Sequence, residues 1–267
     1  MRAVLRLPVI LSATPLFATA LCTATVHAQV DQRALTQQLV GESRAERAQA
    51  LATAEVLGPA STGPELRRAL MSALEQESRL QVERDRAARR GEILQELEDP
   101  ELIGTAARVV AELRDPNAIP ALASALGSGF AVIRALVEFG EQAAPAVLAA
   151  VMSPQSMHDA INHGLITLRF MVEGAETHPL SPATLAQIRS AAEQHLRTGK
   201  VLAITTLWWA IDLASVLKDA RLRRTLESLS INSNEIVARG VEDPELIERT
   251  QQRAAERLAG IPPLPRP

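Results

Sequence analysis

The sequence predicts an all-α protein built from short amphipathic helices. The first observation is composition: the chain has no Tyr, four Phe and two Trp, and Ala and Leu dominate. Runs of β-branched and aromatic residues with alternating polarity, the mark of strands, are absent. The second is a recurring helix opening, in which Pro64, Pro100, Pro116, Pro182 and Pro244 each follow a Gly, Asp or Ser. A polar cap and a proline in the first turn, where a missing N–H costs little, start a helix. The third is spacing: apolar residues recur three and four positions apart between these openings. Each such stripe lies on a helix too short to be stable alone.

Residues 1–28 read as a cleavable secretory signal. Arg2 and Arg6 supply a positive start, residues 7–21 are mostly apolar, and no acid precedes Asp31. Val26, His27 and Ala28 place a cleavage site before Gln29. The alternative is a membrane anchor, but the apolar stretch is shorter than the roughly 20 residues of a span and contains Pro8 and Pro15. Cys22 follows Leu21 rather than the small residue of a lipoprotein site, and Arg2 and Arg6 are not adjacent as a twin-arginine route requires. The expected location is periplasmic or secreted. Cleavage would remove the only cysteine, excluding an internal disulfide or a thiolate metal site. Loss of Arg2 and Arg6 would move the formal charge from −3 to −5. Such a chain has no clustered basic surface for phosphates, so nucleic acid is not an expected partner.

Residues 29–260 read as a run of helices. Residues 31–40 form the first, and Ser43 caps the second, which closes at Leu57 and Gly58. After Gly63 and Pro64, Leu66, Leu70 and Leu74 share one face. Residues 75–90 continue this helix with dense charge, where Arg84, Arg86, Arg89 and Arg90 are either an anion-binding strip or, in keeping with their interleaved signs, a solvated extension. Asp99, Pro100 and Glu101 open a helix that buries Leu102, Ile103, Ala106, Ala107, Val110 and Leu113. From Asp115 come three short helices, with Ile119, Leu122 and Leu126, then Ile133, Leu136 and Val137, then Ala144, Val147, Leu148 and Val151 as their stripes.

Residues 154–173 form one long helix or two, with Ile161, Leu165, Leu168 and Val172 inside. Residues 177–182 are a turn, followed by a helix through Leu185, Ile188, Ala192 and Leu196. Residues 201–217 are the most apolar stretch after the signal and carry Trp208 and Trp209. A stable membrane span is not expected there, since the stretch has 17 residues and contains Asp212; a helix buried on most sides is. Leu222, Leu226 and Leu229 follow, Asn232 and Asn234 break the pattern, and Asp243 and Pro244 open a last, charged helix whose polarity suits a terminal cap. Residues 261–267 form a Pro-rich, disordered tail. The hexapeptide at 98–103 recurs at 242–247, which fits either four periods of 36 residues or repeated selection by capping chemistry.

The segment Asp115, Pro116, Asn117, Ala118, Ile119, Pro120, Ala121, Leu122 resembles the second-helix opening of HEAT-like (armadillo-type) helical-repeat proteins of the bacterial exported kind. Arg47, eleven positions before Gly58, resembles the basic residue of that family's first helix, although Ile103 stands at the corresponding place in the next repeat. The clearest repeats are 43–74 and 100–151, and the pattern is irregular in the C-terminal half. The resemblance implies an α-solenoid of twelve to fourteen helices in stacked antiparallel pairs. It also implies a non-catalytic scaffold whose second helices line a binding surface for a protein or peptide in the cell envelope. The alternative it allows is an enzyme on the same fold, similar to phycobilin lyases.

Catalytic motifs are not found in the sequence: there is no Gly-rich phosphate loop, G-x-S-x-G, H-E-x-x-H or cysteine nucleophile. Neither a cofactor nor a metal is expected. His158, Asp159, Asn162 and His163 are the densest ligand candidates, but His158 and His163 lie about 140° apart on a helix and a metal needs three or more convergent ligands. His178 and His195 are isolated. The polar residues placed on the expected partner surface are Arg67 and Arg68, beside the Leu66, Leu70 and Leu74 stripe, and Ser124, opposite Leu122 and Leu126.

Overall fold

The computed structural model describes residues 31–92, 101–197 and 203–261. The expected signal and its expected cleavage site after Ala28, the opening at Asp99 and Pro100, Val201 and the expected tail beyond Ile261 lie outside the described residues. Among those described there are thirteen α-helices, four short 3-10 turns and no strand. The fold is all-α.

Capping chemistry sets the helix starts. Asp31 accepts from the N–H groups of Arg33 and Ala34 to begin α1 (Gln32–Val40), and Ser43 accepts from Glu46 N–H to begin α2 (Arg44–Leu57). Gly58, at φ 74°, ends α2 in a conformation that side chains disfavour. Pro64 opens α3 (Pro64–Arg89), and α4 (Leu102–Glu112) follows. The Asp115 opening yields first a 3-10 turn, Pro116–Ala118, and then α5 (Ile119–Ser124), α6 (Phe130–Phe139) and α7 (Ala144–Met152). The stretch 154–173 resolves into one helix, α8 (His158–Glu173). Ser181 caps α9 (Pro182–Leu196), and the apolar stretch becomes α10 (Ile204–Leu217). Asp219, Asn232 and Asp243 cap α11 (Ala220–Ile231), α12 (Ser233–Val237) and α13 (Pro244–Leu258).

The helices stack in two layers. One runs α1, α3, α5, α7, α9, and the other α2, α4, α6, α8, α10, α13, each helix against its layer neighbour. Across the layers α3 packs on α4, α5 on α6, α7 on α8 and α9 on α10. The interior is aliphatic, with Leu70, Leu74, Leu122, Leu136 and Leu165 fully buried. Small residues let the layers close: a Cβ on Gly164 of α8 would stand 2.4 Å from Val151 Cγ2 on α7. Ile103 and Val172, read as inward-facing, are only half-buried.

Within 43–74, α2 and the start of α3 fall in opposite layers, and α1 lies against both. An ion pair joins α2 to α3: Arg47 Nε donates to Glu77 Oε1 at 3.1 Å and Arg44 Nε to Glu77 Oε2 at 3.0 Å. Arg47 and Glu77 are 1% and 2% exposed, and their mutual contact, the second arginine on Glu77 and the Arg47 bond to Gly41 O together offset the cost of burying both charges. Elsewhere in the 75–90 stretch Glu83, Arg86, Arg89 and Arg90 are exposed.

Among the described residues no single helix is long and apolar enough to cross a membrane. Helix α10 starts only at Ile204, because Ala203 is extended, and lies against α8, α9 and α13.

Candidate functional site

The expected surface residues do not all do the same work. Arg67 is turned back onto its own chain. Its Nε donates to Thr62 O at 3.0 Å, its Nη2 to Pro59 O at 2.9 Å, and Asp115 Oδ2 stands 3.9 Å from Nη1. It therefore braces the 3-10 turn Pro59–Ser61 at the start of α3, adding to the bond that Pro59 O already accepts from Thr62 N–H. Arg68 is exposed, and among the described residues it has no carboxylate partner. Together with Met71 and Asn117 it borders an open depression of about 670 Å³ between α3 and the turn before α5. Ser124 is exposed at the last turn of α5, where its hydroxyl donates to Ala121 O at 2.7 Å. It lines a second, narrower cavity of about 140 Å³. The structure thus brings Arg67 and Arg68 to one end of α5 and Ser124 to the other.

One helix face connects the two hollows. Arg67, Met71, Ser78, Val82 and Asp85 line them at spacings of four, seven, four and three, which put these residues in one stripe along α3. From Arg67 to Asp85 that stripe is about 27 Å long at 1.5 Å per residue.

The narrow cavity exists because α5 is short. Helix α3 has 26 residues and α5 only six, the chain leaving α5 into the 3-10 turn Leu126–Ser128 and Gly129, at φ 120°. Helix α3 therefore continues past the end of its layer neighbour, and the start of α8, at Met157 and Asp159, closes the far wall. Val82, Ile103 and Met157 make apolar sides. Asp85 accepts from Gln81 Nε2 at 3.0 Å, and Asp159 lies in the first turn of α8, near the positive end of its dipole. Among the described residues neither aspartate has a basic partner, and none of the cavity-lining residues is basic. Ser78 is 3% exposed, and among the described residues its Oγ has no hydrogen-bond partner. Asp159 is marked in the sequence only as a metal-ligand candidate, and Ser78 and Asp85 carry no local signal, since the cavity joins residues from four separated segments.

The metal-ligand candidates disperse. His163 Nδ1 meets Leu126 O at 2.7 Å rather than Asp159, while Asn162 bonds to Thr205 and Thr206. Among the described residues no group of three or more His, Asp or Glu is placed to hold a metal ion. Nor, among them, does an imidazole ring hydrogen-bond a serine or threonine hydroxyl; the His163 and His195 rings contact the backbone carbonyls of Leu126 and Val151.

The densest charge cluster lies elsewhere and is a clamp. Asp212, on α10 and 1% exposed, accepts from Arg169 of α8 and from Arg253 and Arg257 of α13. The hydrogen bond to Asp212 raises the Arg257 guanidinium above its ordinary value. Arg253 also lies 5.7 Å and 5.6 Å from the Trp208 and Trp209 ring centroids, and Arg249 is 5.0 Å from Trp208. Trp208 Nε1 donates to Thr250 Oγ1 at 2.9 Å. These contacts fasten α13 to α10, and they occupy the lone pairs that a catalytic carboxylate would need free.

No family model matches the chain, and no curated protein matches it. Among solved structures, the designed armadillo repeat protein YIII(Dq.V1)4CPAF, in complex with the peptide (KR)4, is similar with a TM-score of 0.38 and 13% identity. The match covers 85% of this chain and 99% of that one.

Proposed function

We propose that the protein is an exported, HEAT-like helical-repeat scaffold that holds a peptide segment of a partner along the α3–α5 surface without turnover. The observation that carries this reading is the pair of hollows on one face of α3, one at each end of its short neighbour α5. They offer a free guanidinium on Arg68 at one end and two aspartates without basic partners at the other, with apolar walls between. A stripe of about 27 Å accommodates roughly eight residues of extended chain. Charges at the ends set orientation and register, and the apolar centre supplies contact area.

Export rests on residues 1–28, and the mature protein would begin at Gln29. N-terminal sequencing of the protein from the envelope or medium tests this, with an intact Met1 in a membrane pellet as the opposing result. Peptide holding is tested by selecting a random peptide library on the full chain and titrating the recovered peptides. Arg68→Glu should weaken them at least tenfold and leave the melting temperature unchanged. Failure to recover any peptide, or equal affinity in the variant, would overturn the reading.

A further inference from the structure

We propose that the hollow bounded by the end of α9, the first half of α11 and Arg239 is a binding site for a phosphomonoester group. It lies on other helices than the α3–α5 surface and stands independently of peptide holding.

The lining joins three arginines from separated segments, Arg197, Arg221 and Arg239, with Thr225 and a single acid, Glu193. Arg197 and Arg221 are exposed, and among the described residues neither has a carboxylate partner, whereas Arg189 and Arg223 on the same two helices are each paired with an acid. Arg239 is 4% exposed and held in place. Its Nε and Nη2 donate to Leu196 O at 2.9 and 2.7 Å, and its Nη1 donates to Glu235 Oε2 at 2.8 Å and to Glu235 O. This covers a carbonyl at the negative end of α9, which would otherwise repel an anion. It also uses at most four of the five guanidinium N–H groups, leaving one on Nη2 without a partner among the described residues.

An independent observation is Thr225. The hydroxyls of Thr36, Thr53, Thr167 and Thr250 each donate to the carbonyl four residues back in their helices. Thr225 lines the hollow and makes no such bond, and among the described residues its hydroxyl has no partner. The helix start itself is not the site, because the N–H groups of Arg221 and Leu222 already donate to Asp219. Recognition therefore falls to side chains that are all donors, apart from Glu193. A cation would meet three like charges, and a carboxylate offers two oxygens and one charge. A phosphomonoester carries close to two charges and three terminal oxygens, enough for both exposed guanidinium groups and the hydroxyl. A volume of about 310 Å³ exceeds that of a bare phosphate and leaves room for a small organic group, whose hydroxyls can donate to Glu193.

The probe is glycerophosphate, titrated calorimetrically into the full chain. Saturable binding is expected, competed by inorganic phosphate and weakened as salt is raised. Arg197→Ala combined with Arg221→Ala should reduce the affinity at least tenfold with the melting temperature unchanged, since both side chains are exposed. Arg221→Lys keeps the charge but loses the planar fork, and should still weaken binding about threefold. Arg68→Glu, on α3, should leave it unaltered. Vesicles of phosphatidylcholine doped with phosphatidic acid form a second arm: capture by them while glycerophosphate competes would assign the same site to a lipid headgroup, and no capture would assign it to a soluble ester. Absence of saturable heat, equal affinity for acetate, or undiminished affinity in the double variant would overturn the proposal. So would equal affinity in Arg221→Lys, which would show a diffuse positive potential and no built site.

Discussion

Replacing Asp212 with Ala should be among the most damaging single changes to the C-terminal half. The carboxylate is 1% exposed and takes contacts of 2.6–3.4 Å from three arginines. Removing one partner of a buried ion pair costs about 3–5 kcal/mol, because the remaining charge is left desolvated. Here the three guanidinium groups are partly exposed, and Arg169 keeps Glu173 at 2.9 Å, so the lower end of that range applies, about 3 kcal/mol. Like-charge repulsion among the stranded arginines acts in the same direction. Trp208 and Trp209 are the only tryptophans in the chain and sit one turn before Asp212. Urea unfolding followed by tryptophan fluorescence therefore reports on this helix directly. With a slope near 3 kcal/mol per molar for a protein of this size, the midpoint should fall by about 1 M. Asp212→Asn retains one acceptor and should lie between. A change within about 0.5 kcal/mol for Asp212→Ala would show that water satisfies the arginines equally well and that the cluster does not hold α13 in place.

Three further outcomes follow from named contacts. Gly164→Ala should destabilise by about 1 kcal/mol net, since overpacking against Val151 exceeds the gain in helix propensity, and adding Val151→Ala should restore stability in the same denaturation assay. Burial pushes the His195 imidazole below the ordinary histidine range, outweighing its contact with Val151 O at 3.1 Å. The unfolded chain then takes up the proton first as pH falls, so the contribution of His195 is full above about pH 6.5 and declines below it until the folded value is reached. That slope should vanish in His195→Gln, and its persistence there would refute the assignment. Arg67→Ala should cost about 1–2 kcal/mol through the lost carbonyl contacts at Pro59 and Thr62, while Arg68→Ala should stay within about 0.5 kcal/mol; equal losses would show that both arginines are merely exposed.

Helix boundaries were legible in the sequence because they are local. Asp31, Ser43, Ser181 and Asp243 cap within three residues of themselves, and the apolar stripes of 119–151 need only helical spacing. Arg47 was marked by its resemblance to a repeat position, but its partner Glu77 sits thirty residues on, at the edge of a charged stretch that reads as solvated. Asp212 had no legible partners either, since its arginines come from helices 41 to 45 residues away. Arg67 and Arg68 are neighbours of one type, and only the fold shows that one braces a turn while the other is free. The Gly127, Ser128, Gly129 break reads as a turn from sequence alone. That it opens a cavity depends on the overhang of α3 and the placement of α8, neither of which spacing conveys.

The central claim, that the α3–α5 surface holds a peptide without converting it, is tested most directly by hydrogen exchange of the full chain with a selected peptide, read by mass spectrometry. The account predicts slowed exchange in residues 117–128 and in the first turn of α8, with the peptide recovered at unchanged mass. Protection confined to α10–α13, or a peptide recovered with altered mass, would contradict it.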